Sequence, residues 1–108
     1  APSLKIIPEL QSRGANITVV DPEGEKNGRK LLSDIRWLSD PYVAAEESEC
    51  ILLLTEWNEF RALNLTKIAA SMAISRMADF RNVYSEKEVL EAGFIGYDSI
   101  GRKYSKSD

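Results

Sequence analysis

Polar and charged side chains follow two apolar stretches of the sequence, at the points where each stretch stops. The run Ile51–Leu54 is followed by Thr55 and Glu56, and a later stretch ends in Asp79 and Arg81. A guanidinium offers forked donors to a phosphate, which makes the arginine the candidate contact to an anionic ligand. If the two stretches are neighbouring parallel strands, their ends share one edge of a sheet, where α/β proteins bind ligands. The sequence therefore predicts one crevice at this edge.

The other polar residues at this edge have two interpretations. Thr55, Glu56 and Asp79 can line the crevice, or they can hold its scaffold together. Glu56, for example, can pair with Arg61 or Arg81. We favour the scaffold for Thr55 and Glu56, because structural ion-pair networks also gather at such positions.

Two further residues suggest other chemistry. Cys50, the single cysteine, starts a predicted buried strand at the end opposite the crevice, so we interpret it as a buried structural residue and not as a nucleophile. Asp21 follows a predicted strand, where a dinucleotide-binding unit places the acid that holds a ribose. The glycine-rich loop that would support this role would lie upstream of Ala1, and the other interpretation of Asp21 is a turn and cap residue before Pro22. We predict no catalytic residue and no metal ligand.

Composition excludes several classes of protein. The chain has 108 residues, 44% of them hydrophobic and 29% charged, which suits one single-core domain. A net charge of -3 argues against a nucleic-acid or anionic-membrane surface. The absence of histidine removes the commonest general base. The sequence shows no long apolar run and no signal peptide, which predicts a cytoplasmic protein.

Strand and helix patterns alternate along the chain. Short apolar or β-branched runs predict strands at 17–20, 35–38, 50–54, 75–80 and 94–100. Apolar stripes and capping residues predict helices between Ser3 and Gly14, across 25–33, 41–47 and 59–73, and between Ser85 and Gly93. Gly28 is expected to interrupt the second helix. The continuous apolar run at 50–54 is typical of the interior of a parallel sheet.

This alternation predicts an α/β fold: a Rossmann-like, three-layer, doubly wound parallel sheet. Such a fold normally begins with a strand, whereas this chain begins with a predicted helix. The first strand is therefore expected to be missing, which would leave the strands at 17–20 and 50–54 each without a neighbour. Residues 102–108 have no apolar periodicity and are expected to form a flexible tail after a domain at 1–101.

Three ordered motifs resemble the C-terminal, UDP-binding domain of the UDP-glucose/GDP-mannose dehydrogenase family. They are Thr55–Leu63, Asp79–Tyr84, and Ala92–Phe94 together with Ile100–Arg102. Three motifs in the right order make the match specific, and Thr-Glu-Trp favours the UDP-glucose branch. The resemblance implies that Arg81 contacts the UDP-sugar. The sequence departs from the family at Phe80, where many relatives have glycine.

The resemblance also implies the chemistry of the parent protein. Members of the UDP-glucose branch oxidise UDP-glucose to UDP-glucuronate in two NAD-dependent hydride transfers, using a cysteine in the N-terminal half. That half and its NAD loop would lie upstream of Ala1, so the fragment alone is expected to be inactive. The expected partner is UDP-glucose, and the parent is expected to be a homodimer. The fragment is expected to self-associate through exposed sheet edges.

One alternative class is a non-catalytic signalling module of the receiver type, which is also doubly wound, or a pure interaction module. A receiver needs an aspartate that accepts a phosphoryl group after its third strand. The segment Trp37–Asp40 matches that requirement poorly.

Overall fold

A computed structural model describes residues 3–55 and 58–99, in two compact units, Ala1–Ala44 and Ala45–Asp108. Helices and strands alternate along the chain as α1 Ser3–Ser12, β1 Ile17–Val20, α2 Glu25–Leu31, β2 Ile35–Leu38, α3 Pro41–Ala45, β3 Ile51–Leu53, a 3-10 helix Asn58–Ala62, α4 Leu65–Ser71, β4 Arg76–Asp79, α5 Glu86–Glu91 and β5 Gly96–Ser99. The strand pairs in the described part of the chain are all parallel. The predicted α/β class is confirmed.

The first unit contains a parallel pair of strands. β1 and β2 are in register from Ile17 opposite Ile35 to Val20 opposite Leu38. α1 precedes them and ends where the sequence predicts, because Gly14 has a φ of +96° and its N–H donates to the carbonyl of Gln11 at 2.9 Å. A left-handed glycine is a common way to terminate a helix.

Gly28 does not interrupt α2, so this prediction is wrong. The glycine lies against the indole ring of Trp37, and a Cβ built at this position would come within 2.5 Å of the ring. Arg29 covers the same ring, with its guanidinium carbon 5.8 Å from the ring centroid. A glycine inside a helix costs about 1 kcal/mol relative to alanine. Here the missing side chain makes room for the tryptophan between α2 and β2.

Replacing Gly28 with alanine is therefore expected to lower the free energy of unfolding of the first unit by up to about 2 kcal/mol. Overpacking against the Trp37 ring costs about 1–3 kcal/mol, and the better helix propensity of alanine returns about 1 kcal/mol. Urea unfolding followed by circular dichroism measures the change. Asn27→Ala, on the exposed side of the same helix, is the control and should be neutral or slightly stabilising. A Gly28→Ala variant as stable as this control would contradict the packing argument.

The second unit is built on a three-stranded parallel sheet in the order β3-β4-β5. Leu53 lies opposite Asp79, and Asp79 lies opposite Ser99, at the carboxyl ends of the strands. Paired residues of a parallel sheet point to the same face, and residues two apart in a strand share that face. The core of this unit contains mainly apolar side chains: Leu53, Ile68, Ala69, Met72, Met77, Val83, Tyr84, Val89 and Phe94.

β1 and β3 each pair with one strand only among residues 3–55 and 58–99. These are the two strands that were expected to lack a neighbour, and the Rossmann-like fold lacking a strand is confirmed. The apolar run that contains β3 does not lie in a sheet interior, because β3 is an edge strand and β4 is central. Ile51 and Leu52 are accordingly half-buried.

Two helices also differ in their limits from the sequence predictions. The predicted helix across 59–73 is divided into the 3-10 helix and α4, which Asn64 caps by accepting the N–H of Lys67 at 3.1 Å. α3 ends at Ala45, before Glu47, whose φ is +63°. The capping box at Ser85 is confirmed.

The predicted tail at 102–108 and the motif segment Ile100–Arg102 lie outside the described residues. None of the helices described is long and apolar enough to cross a membrane.

Candidate functional site

The carboxyl ends of β3 and β4 lie side by side at one edge of the second sheet. Leu53 is opposite Asp79, and the N–H of Phe80 donates to the carbonyl of Leu53 at 2.9 Å. The ladder thus continues one hydrogen bond beyond the end of β4. Thr55 comes shortly after the end of β3, and Arg81 comes shortly after the end of β4. Both residues are exposed. The structure therefore brings these two predicted site residues to the same edge.

Asp79 is completely buried. Its carboxylate binds two backbone N–H groups of the chain segment that carries Arg81. Its Oδ1 accepts the N–H of Arg81 at 3.1 Å, and its Oδ2 accepts the N–H of Tyr84 at 2.9 Å. We call residues 80–84 the Arg81 loop. Because one carboxylate binds the N–H groups near both ends of this loop, Asp79 holds the loop together.

The environment of Asp79 favours its charged form. Burial by itself would raise the pKa of this carboxyl group, but hydrogen bonds from the backbone N–H groups of Tyr84, Val83 and Arg81 and from the Tyr97 hydroxyl outweigh it. The pKa of Asp79 is therefore lower than its ordinary value of 3.8. At neutral pH the side chain is a carboxylate that can only accept hydrogen bonds.

The Arg81 loop presents its first half to solvent and anchors its second half in the core. Arg81 and Asn82 are exposed, whereas Val83 and Tyr84 are 5% and 6% exposed. The change of direction occurs at Asn82, whose φ is +56° and whose side-chain Oδ1 accepts the hydroxyl of Ser99. Asparagine tolerates this left-handed conformation better than most residues. Phe80 does not adopt it, so the backbone at that position does not require a glycine.

Arg61 connects the 3-10 helix to the same loop. Its Nη1 donates to the carbonyl of Val83 at 3.1 Å. The sequence singles out Arg61 only as a partner for Glu56, and Glu56 lies outside the described residues. Tyr97, whose hydroxyl is 3.0 Å from Asp79 Oδ2, is not predicted as a site residue at all. Neither contact follows from a local pattern, because the partners lie 22 and 18 positions apart in the sequence.

Cys50 lies at the amino end of β3, and Asp21 belongs to the first unit. Cys50 is exposed and precedes β3, so its interpretation as a buried residue is wrong. Desolvation by neighbouring atoms raises the pKa of its thiol, with Arg76 opposing and Asp98 adding to the effect. A thiol with a raised pKa is a poor nucleophile at neutral pH. Asp21 accepts the N–H of Gly24 at 2.9 Å, which confirms its interpretation as a turn residue.

Comparison with known proteins places these features in a family. The sequence matches the model of the UDP binding domain of the UDP-glucose/GDP-mannose dehydrogenase family over residues 1–86. It is 42% identical over 102 residues to UDP-glucose 6-dehydrogenase of Rhizobium meliloti, covering 94% of this chain and 23% of the relative. The UDP-glucose 6-dehydrogenase of Bacillus subtilis is 36% identical over 103 residues, again with 94% of this chain and with 22% of the relative covered.

A third relative extends the same pattern. The UDP-glucose 6-dehydrogenase of Pseudomonas aeruginosa is 34% identical over 113 aligned residues, which cover 94% of this chain and 24% of the relative. The chain thus spans about a quarter of the length of these relatives, between 22% and 24%. The family model covers most of the chain, with the strand ends and the Arg81 loop inside the matched range. The chain therefore belongs to the UDP-glucose/GDP-mannose dehydrogenase family, as its UDP-binding domain.

Proposed function

We propose that this chain is the UDP-binding domain of an NAD-dependent UDP-glucose 6-dehydrogenase and that Arg81 binds the diphosphate of UDP-glucose. The observation that carries the proposal is an exposed guanidinium on a loop whose backbone is fixed by a buried carboxylate. Thr55 lies at the same edge and can donate its hydroxyl to a phosphate oxygen. The names of the relatives support UDP-glucose as the ligand.

The electrostatics of the edge suit a diphosphate in spite of the net negative charge of the chain. A carboxylate near a phosphate would normally weaken binding through repulsion. Asp79 instead faces inward, and its oxygens accept the N–H groups of Arg81 and Tyr84 and lie near the Tyr97 hydroxyl. These donors offset the carboxylate charge locally. The guanidinium of Arg81 then supplies the charge and the fork geometry that phosphates prefer.

The chemistry of oxidation is assigned to the rest of the parent protein. The two hydride transfers that convert UDP-glucose to UDP-glucuronate need NAD and a reactive thiol. Cys50, with its raised pKa and its place at the amino end of β3, does not suit that role. We therefore infer that the chain alone turns over no substrate. From the family resemblance alone, we also propose that the parent enzyme is cytoplasmic and acts as a homodimer.

A receiver-like signalling function is less well supported. Such a function needs an accessible aspartate at the end of a strand. Asp79 is fully buried, and Asp21 and Asp40 are engaged in caps, since they accept the N–H groups of Gly24 and Tyr42. Each of the carboxylates of Asp21, Asp40 and Asp79 accepts a backbone N–H, which supports a structural role for them.

Titration of the ¹⁵N-labelled chain with UDP tests the proposed site. We expect the largest amide shift changes in the Arg81 loop and at Thr55, with saturable binding that is weak because the chain spans about a quarter of its relatives. Uridine is the control, and it should shift the Arg81 amide much less, because it lacks the diphosphate. The absence of a shift at Arg81 with millimolar UDP, or an equal shift with uridine, would contradict the proposed contact.

A further inference from the structure

We propose that Tyr97 is a positioning residue for the diphosphate site, acting through Asp79 to hold Arg81 in place. The inference rests on the proposed function, because it concerns the same guanidinium and the same UDP ligand. Tyr97 lies on β5, and its hydroxyl group contacts the Arg81 loop.

The Tyr97 hydroxyl contacts the residue that precedes the Arg81 loop and the last residue of the loop at once. It lies 3.0 Å from Oδ2 of Asp79 and 2.7 Å from the main-chain carbonyl oxygen of Tyr84. Both oxygens accept hydrogen bonds, and the hydroxyl has one proton to share between them. Asp79 binds the N–H of Tyr84 through the same Oδ2. The hydroxyl therefore stabilises the contact that closes the loop.

The sheet explains why a residue of β5 can do this. Met77 lies opposite Tyr97 and Asp79 lies opposite Ser99, so Tyr97 and Asp79 are on one face of the sheet, two positions apart along the strands. The phenol ring extends along that face and brings the hydroxyl to the carboxylate. Tyr97 is half-buried. Its replacement with phenylalanine removes the hydroxyl and keeps the ring.

A loop held at both ends restricts the backbone from which Arg81 projects. Binding then needs less ordering of the loop, and rigidity of this kind increases affinity without any new contact to the ligand. Loss of a single hydrogen bond that supports the loop should weaken UDP binding by about threefold to tenfold. The effect should depend on the presence of the Arg81 guanidinium, since Tyr97 acts only through its position.

A double-mutant cycle on the full 108-residue chain tests the proposal. UDP affinity is measured by amide shift titration for Tyr97→Phe, Arg81→Gln and the double variant. Tyr97→Phe should weaken binding by about threefold to tenfold in the presence of Arg81, and by much less in the Arg81→Gln background. If Arg81→Gln binds too weakly to measure, Arg81→Lys takes its place. Ser75→Ala is the matched control, because it removes a hydroxyl that donates to the Gly93 carbonyl near the amino end of β4, and it should leave the affinity unchanged.

Hydrogen exchange provides a second readout that needs no ligand. Tyr97→Phe should increase the exchange rates of the Arg81 and Tyr84 N–H groups, which Asp79 binds, and should leave the rate at Val89 in α5 unchanged. A uniform increase across the second unit would indicate general destabilisation and would overturn the positioning role.

The outcomes separate this inference from the proposed function. If Arg81→Gln weakens UDP binding and Tyr97→Phe does not, the positioning role is wrong and the binding site stands. If Tyr97→Phe weakened UDP binding equally in both backgrounds, the positioning role would also be wrong, because the effect of Tyr97 would then not depend on Arg81. If Arg81→Gln binds UDP as well as the unchanged chain, or the unchanged chain shows no binding at all, both proposals are wrong.

Discussion

Replacing Asp79 with alanine is expected to lower the free energy of unfolding of the second unit by about 3 kcal/mol or more. The side chain is fully buried and accepts the N–H groups of Arg81 and Tyr84. Each buried donor left without a partner costs about 1–3 kcal/mol, and the cost is higher when the lost partner is charged. Domains of this size are stable by only about 5–15 kcal/mol, so the loss is large. Urea unfolding followed by circular dichroism measures it.

Asp98→Ala is the matched control, because it removes an exposed carboxylate from the neighbouring strand β5. Asp98→Ala should change the free energy of unfolding by no more than about 0.5 kcal/mol. Asp79→Asn keeps the shape and one acceptor, but its amide places a donor against other donors, which should cost about 1–2 kcal/mol. A loss no greater for Asp79→Ala than for Asp98→Ala would show that the carboxylate does not support the fold.

Acidification provides a further check on Asp79. Because the folded-state pKa lies below the ordinary value of 3.8, the ionised side chain contributes stability that is fully present above about pH 4. This contribution is lost as the pH falls through the lower, folded-state pKa. The difference in unfolding free energy between the unchanged chain and Asp79→Asn should therefore shrink on acidification below about pH 4. A difference that stayed constant or grew would contradict the direction of the pKa shift.

Replacing Arg81 with glutamine is expected to weaken UDP binding by roughly tenfold to a hundredfold, because hydrogen bonds to charged groups contribute about 1.5–3 kcal/mol. Glutamine keeps a polar side chain but removes the charge and the donor fork. The bond to Asp79 comes from the main chain of Arg81, so this support of the loop is kept in the variant. Amide shift titration with UDP measures the change in affinity.

The control for this experiment is Arg76→Gln, which removes the same charge from the opposite end of the same strand, β4. It changes the net charge equally and should leave UDP affinity nearly unaltered. The UDP affinity of Arg81→Lys should lie between those of Arg81→Gln and Arg76→Gln, because lysine keeps the charge without the planar fork. Equal weakening by Arg76→Gln and Arg81→Gln would mean that UDP responds to total charge and not to a site at the strand ends.

Local sequence signals predict much of the fold. The strands at 17–20 and 35–38 are observed with the predicted limits, because β-branched and alternating apolar residues define short strands well. The cap at Ser85 forms as predicted, since it depends on contacts within three residues. The parallel pairing follows from the alternation of strands and helices.

Features that depend on contacts distant in the sequence could not be predicted in the same way. Gly28 suggests a helix break until the ring of Trp37 is placed against it. The site is predicted only as a shared strand edge with Arg81, because its supporting bonds from Arg61 and Tyr97 depend on register and side-chain direction. Cys50 is mistaken for a buried residue because the limit of β3 is displaced by one position, and strand limits are poorly defined by composition.

The left-handed backbone at Asn82 has a consequence for how this loop can vary. The residue separates Arg81, which faces solvent, from Val83 and Tyr84, which are held in the core. Substitutions on the exposed side can therefore alter ligand preference without disturbing packing. A β-branched residue at position 82 would remove that division, because it cannot adopt the inverted conformation without strain. One residue thus lets recognition and folding evolve independently within a segment of five amino acids.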